Sequence, residues 1–87
     1  MSIAATTDPR ITKIEVTDDE IMARLVDGRR VSVPLTWSWR LLEATPRQRR
    51  RFEIIGNGTG VRWPEIDEDI SIDGMLRGTP APRPKPA

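Results

Sequence analysis

The chain has no cysteine, no histidine and no tyrosine among its 87 residues. Without cysteine there is no disulfide, thiolate nucleophile, zinc finger or iron–sulfur cluster. Without histidine the usual general base and the commonest metal ligand are missing as well. Charge of one sign is equally scarce. Fourteen basic side chains against 13 acidic ones leave a net charge of +1, too little for whole-chain attraction to nucleic acid or to an anionic membrane. No apolar run approaches the roughly 18 residues of a membrane span, and the opening stretch MSIAATTDPR holds no signal-peptide core. These absences predict a small α+β domain in the cytoplasm, with no cofactor, no metal and no catalytic residues.

What is present falls into three parts. Residues 1–10 are small and polar and read as a flexible N-terminus ending at Asp8-Pro9. Residues 79–87, TPAPRPKPA, place proline at every second position from Pro80 to Pro86. Proline has no donor for a helix or a sheet, so a polyproline-like solvated tail is expected. That leaves 11–78 as the single domain, near the lower limit for independent stability, with room for a partner or a homodimer.

Within it, the first half alternates with period two. Thr12, Ile14 and Val16 predict one strand, Ile21, Ala23 and Leu25 a second, and Val31, Val33 and Leu35 a third. Asp27-Gly28 predicts a type I′ hairpin turn, and Pro34 suits a strand end. A three-stranded antiparallel meander follows. From Thr36 the spacing of Trp37, Trp39, Leu41 and Leu42 turns helical. Thr45-Pro46-Arg47-Gln48 reads as a capped helix start, with Thr45 as N-cap, Pro46 at the first helical position and Gln48 closing a capping box. Glu53 to Trp63 predicts a second β-hairpin, turned by Gly56-Asn57-Gly58-Thr59-Gly60. Ser71 then caps a short C-terminal helix that buries Ile72, Met75 and Leu76 and stops at Gly78.

Several motifs suggest chemistry that their context does not support. The glycine run 56–60 leads into extended Val61-Arg62-Trp63-Pro64, whereas a phosphate cradle opens into a helix. Asp67, Asp69, Ser71 and Asp73 alternate like calcium ligands, but Ile72 and Gly78 stand where that loop needs glycine and glutamate. Arg47, Arg49, Arg50 and Arg51 form the one dense basic patch. It suits phosphate or an acidic protein surface, although charge runs are most often solvated faces. Of Trp37, Trp39 and Trp63, two are expected in the core, and an exposed one beside Arg40 has the composition of an interface anchor.

Taken in order, Asp27-Gly28, Val31-Ser32-Val33-Pro34-Leu35, Leu41 through Arg49, Trp63-Pro64-Glu65-Ile66-Asp67-Glu68-Asp69-Ile70-Ser71 and Leu76-Arg77-Gly78 resemble the bacterial domain-of-unknown-function family numbered 2442. The Trp63 to Ile70 stretch is the most specific part. The resemblance implies a small α+β fold without established catalytic residues. It also implies a companion small protein encoded by an adjacent gene, the two proposed as a toxin–antitoxin pair with this domain as antitoxin. Some relatives carry a helix-turn-helix after the domain, and this chain ends in the proline tail instead. The expected partner surface comprises Trp37 or Trp39, Arg40, Arg47, Arg50, Arg51, Glu65, Asp67 and Asp69, with Asp67 and Asp69 free to pair with the arginine helix. The alternative is a nucleic-acid-binding or transcription-regulatory accessory domain that uses the Arg47–Arg51 helix.

Overall fold

The computed structural model describes residues 8–78. Most of the expected N-terminal arm (1–7) and the whole proline tail (79–87) lie outside them. The fold is α+β, with two three-stranded antiparallel sheets and three short helices.

The first sheet is the predicted meander: β1 (Ile11–Val16), β2 (Glu20–Leu25) and β3 (Arg30–Pro34), in the order β1-β2-β3. On β2 the alternation holds throughout, with Ile21, Ala23 and Leu25 buried. On β1 it does not. The register slips between Ile11 and Lys13, so Ile11 and Ile14 are buried and Thr12, expected inside, is exposed. An extra residue in one strand turns its side chain off the pleat, which period-two reading cannot detect. The turn after β2 is also not type I′. Gly28 has φ +92° while Asp27 is not in the left-handed region, and the Gly28 amide donates to the Leu25 carbonyl at 3.0 Å.

Asp8 to Arg10, read from the sequence as part of a flexible arm, are bonded to this turn. The Asp8 amide donates to Asp27 Oδ2 at 2.9 Å, and the Val26 amide to the Arg10 carbonyl at 2.8 Å. Arg29 Nε also donates to Asp27 Oδ2, at 2.9 Å. That side-chain bond, first among several donors, holds the Asp27 carboxyl down to about 2. The unfolded carboxyl titrates near ~3.9. The contribution to stability is therefore fully present above the unfolded value and is lost as pH falls through the folded one. Asp27→Asn is expected to remove part of the acid-induced fall in urea midpoint between about pH 4 and about pH 2. An unchanged fall in the variant would show that Asp27 carries none of it.

After β3 the chain makes a 3-10 turn (Leu35–Trp37) and two five-residue helices, α1 (Trp39–Glu43) and α2 (Pro46–Arg50). Ser38 caps α1 by accepting from the Leu41 amide. Thr45 and Gln48 form the predicted capping box on α2, with Pro46 in its first turn. The second hairpin is β4 (Glu53–Ile55) and β5 (Gly60–Trp63). A further strand, β6 (Glu68–Ser71), pairs with β5 and completes a sheet of order β4-β5-β6. Helix α3 (Ile72–Arg77) follows with Ser71 as N-cap and Gly78 as left-handed C-cap. It buries Ile72 and Met75, but Leu76 faces outward at 45% exposure, because six residues present only one narrow stripe to the core.

One hydrophobic core joins the two sheets. It gathers Ile11, Ile14, Ile21, Ala23, Leu25 and Val33 from the first, Val61 and Trp63 from the second, and Leu35, Leu41, Ile72 and Met75 from the helical segments. The turn after β4 meets the start of β1 closely. A Cβ on Gly58 would lie 2.8 Å from Arg10 Cβ and 3.1 Å from the Ile11 amide nitrogen, and its φ is +92°. Only glycine permits both the approach and the backbone angle.

Candidate partner-binding face

The sequence grouped the arginines of α2 as one patch. The fold gives them separate duties. Arg49 points inward, at 11% side-chain exposure. Its Nε donates to the Leu41 carbonyl at 3.0 Å and its NH2 to the Leu42 carbonyl at 3.2 Å. The Leu42 carbonyl is one that the end of α1 leaves without a helical partner, while the Leu41 carbonyl also accepts from the Ala44 amide at 3.2 Å. Its NH1 pairs with Asp18 at 2.9 Å, which ties α2 to the β1–β2 turn. Arg49 is structural. Arg51 pairs with Glu65 at 3.3 Å. Arg47 and Arg50 are exposed, and neither forms an ion pair among the described residues.

The acidic stretch is likewise divided. Asp67 and Asp69 do not pair with the arginine helix. Arg62, one strand away, takes both, Asp67 at 3.5 Å and Asp69 at 3.2 Å. The register explains this: Arg62 lies directly across from Asp69 in the β5–β6 ladder, and cross-strand opposites are the nearest partners available. Asp67 sits in the left-handed region, φ 53°, at the turn into β6. Only Glu65 reaches α2, through Arg51.

Trp63 is fully buried, and its Nε1–H donates to the Arg49 carbonyl at 3.0 Å. Phe52 packs near it, ring centroids 6.3 Å apart and tilted by 55°. Trp37 and Trp39 are both half-buried. Trp37 packs against the core. Trp39 carries the Arg40 guanidinium 5.0 Å above its ring, and Arg40 NH1 donates to the Asp67 carbonyl at 2.5 Å. Trp39 and Arg40, with Glu43, Ala44, Gln48 and Ile66, line a shallow depression of about 220 Å³. A second depression, of about 380 Å³, lies between Arg51, Phe52, Glu53, Pro64 and Glu65. The structure thus brings Trp39 to Arg40, Arg51 to Glu65, and Arg40 to the Asp67 backbone. It does not join the expected surface residues into one cluster.

The sequence missed Glu68 and Ser38. Glu68 is 5% exposed and Ser38 fully buried. The Ser38 hydroxyl donates to Glu68 Oε2 at 2.5 Å, and the Asp69 amide donates to Oε1 at 3.0 Å. The signal was available: Glu68 is two residues before Ile70 and shares its face on β6. Reading residues 65–69 as a single acidic run concealed it. Among the described residues no group of three or more acidic side chains could hold a metal ion, and no helix is long and apolar enough to cross a membrane.

A family model described as protein of unknown function (DUF2442) matches residues 11–81. No curated protein matches the chain. Two solved structures share the fold. The solution NMR structure of uncharacterized protein CV0863 from Chromobacterium violaceum superposes with a TM-score of 0.71 at 25% identity, over 84% of this chain and 69% of that one. The crystal structure of a protein of unknown function from Rhodospirillum rubrum gives a TM-score of 0.72 at 25% identity, over 85% of this chain and 92% of that one.

Proposed function

The chain belongs to the DUF2442 family of proteins of unknown function, and from that premise we propose that it is a non-catalytic protein-interaction module. Its expected partner is a small protein encoded by an adjacent gene, which it binds and masks in the manner of an antitoxin. The resemblance of the Trp63 to Ile70 stretch suggests the partner class. The observation that carries the interaction reading is Arg40 stacked over half-buried Trp39, at a shallow depression that Glu43, Gln48 and Ile66 also line. Tryptophan and arginine in contact at a surface make the strongest interface anchors. Catalysis finds little support, because Glu65, Asp67 and Asp69 are engaged by Arg51 and Arg62.

The test is co-expression with the products of neighbouring genes, followed by affinity capture and light scattering. A stable complex is expected, weakened about tenfold or more by Trp39→Ala and by Arg40→Ala (about 1.4 kcal/mol each). Failure of every neighbour to co-elute would remove the reading. The nucleic-acid alternative predicts binding that collapses with salt. With Arg49 internal and Arg51 paired, two free arginines on α2 allow a log–log salt slope of only about −2, shallow for a dedicated nucleic-acid binder.

A further inference from the structure

Strand β1 is an edge strand with no partner beyond β2 among the described residues. The hydrogen-bonding phase of its ladder is set by the turn, where the Thr17 amide donates to the Glu20 carbonyl at 2.9 Å. In an antiparallel pair, bonded and non-bonded positions alternate. Val16 opposite Ile21 and Ile14 opposite Ala23 are therefore non-bonded, and their amides and carbonyls point away from β2. No backbone partner meets them among the described residues. The other edges of the two sheets are shorter: β3 ends in Pro34, β4 has three residues and β6 has four. Short strands and proline are how proteins blunt an edge. β1, with six residues, is blunted only at its start, by the bulge and Lys13, and runs regular from Lys13 to Val16.

Opposite this edge stands α2. Between them runs a groove of about 460 Å³, bounded by Ile14 to Asp18 on one side and by Pro46, Arg49, Arg50 and Phe52 on the other. Val16 and Phe52 are half-buried and pack on the core, so the groove has an apolar floor. Arg49 is tied down by Asp18. Arg50 on the helix wall has no carboxylate among the described residues, and Glu15 on the strand wall, on the strand face opposite to Ile14 and Val16, has no cation. Ile14 to Thr17 offer roughly 10 Å of edge, at about 3.3 Å per residue.

We propose that this groove takes an extended segment of a partner protein as an added strand on β1, with an acidic side chain of that segment meeting Arg50. Main-chain bonds to Ile14 and Val16 supply sequence-independent affinity, and the floor and the arginine supply selection. The inference deepens the interaction reading and rests on it, but it concerns a different surface from Trp39 and Arg40, so each can fail alone.

The probes are acetylated and amidated peptides of alternating valine and threonine, closed by one glutamate or by one lysine, added to the full ¹⁵N-labelled chain. The glutamate peptide is expected to shift the Ile14 and Val16 amides, slow their hydrogen exchange and bind about tenfold tighter than the lysine peptide. Arg50→Glu, an exposed change that leaves the fold intact, is expected to reverse that preference. Val16→Pro removes an outward amide without taking a bond from the β1–β2 ladder, and it should abolish binding while the spectrum stays dispersed. The proposal is overturned if neither peptide moves those two amides at about millimolar concentration, or if both bind equally. It is also overturned if the amides become protected with rising protein concentration alone, which would make a second copy of the chain the occupant. Capture of a neighbouring protein with the two amides still unprotected would refute the groove and leave the interaction module standing.

Discussion

Replacing Trp63 with alanine is expected to cost about 3–5 kcal/mol, the range for deleting a large aromatic from a packed core. Trp63 is the largest fully buried side chain. It sits where β5 meets Phe52 and α2, and its indole N–H is the donor to the Arg49 carbonyl. Domains of this size start from a stability near the low end of about 5–15 kcal/mol, so the variant should be largely unfolded at physiological temperature. In urea, with a slope of about 1 kcal/mol/M for so small a protein, the midpoint should fall by about 3–5 M. Trp63→Phe keeps most of the volume and loses only the indole donor, for about 1–2 kcal/mol. A Trp63→Ala midpoint within about 0.5 M of the parent would mean that the core is not organised around this residue.

The second large effect is expected at Ser38. Its hydroxyl accepts the Leu41 amide as the cap of α1 and donates to buried Glu68. Ser38→Ala removes the cap, about 1 kcal/mol, and leaves Glu68 with one fewer donor in a buried site, about 1.5–3 kcal/mol more. Urea unfolding should register a loss near 3 kcal/mol. Removing the carboxylate as well separates the two parts. Ser38→Ala in a Glu68→Leu background should cost little beyond the cap, giving a coupling of about 1.5–3 kcal/mol in a double-mutant cycle. Strict additivity would show that the hydroxyl and the carboxylate do not depend on each other.

Local chemistry was the legible part of this sequence. The alternation of Ile21, Ala23 and Leu25, the Thr45 capping box, the Ser71 cap and the Gly78 stop depend on neighbours within four residues, and each lies where it was expected. What could not be read depends on distance along the chain. The bulge at Ile11 to Lys13 comes from pairing with β2. β6 was passed over because residues 65–69 read as one acidic run, and the donor that lets Glu68 be buried comes from Ser38, thirty positions earlier. The arginines of α2 look equivalent in sequence. They differ because Asp18, Glu65 and the end of α1 happen to lie beside two of them. Candidate site residues suffer most from this, since an exposed charge and an engaged one have the same letter.

The order of strands in the two sheets bears on how the chain reaches its fold. Each strand pairs only with a sequence neighbour, β1-β2-β3 and β4-β5-β6. The loops closed in forming either meander are short, and their entropic cost is small. The expensive step is bringing the halves together, which requires Gly58 to reach Ile11, Glu68 to reach Ser38, and Trp63 to reach α2. The rate-limiting barrier is therefore expected at docking rather than at pairing, which folding and unfolding rates of turn and seam variants would test. Substitutions in the β2–β3 turn act on a hairpin already formed at the barrier and slow folding, whereas those at Ser38 or Trp63 act after it and speed unfolding. The lifetime of the folded molecule is thus set by the seam between its halves, and its speed of formation by the turns within them.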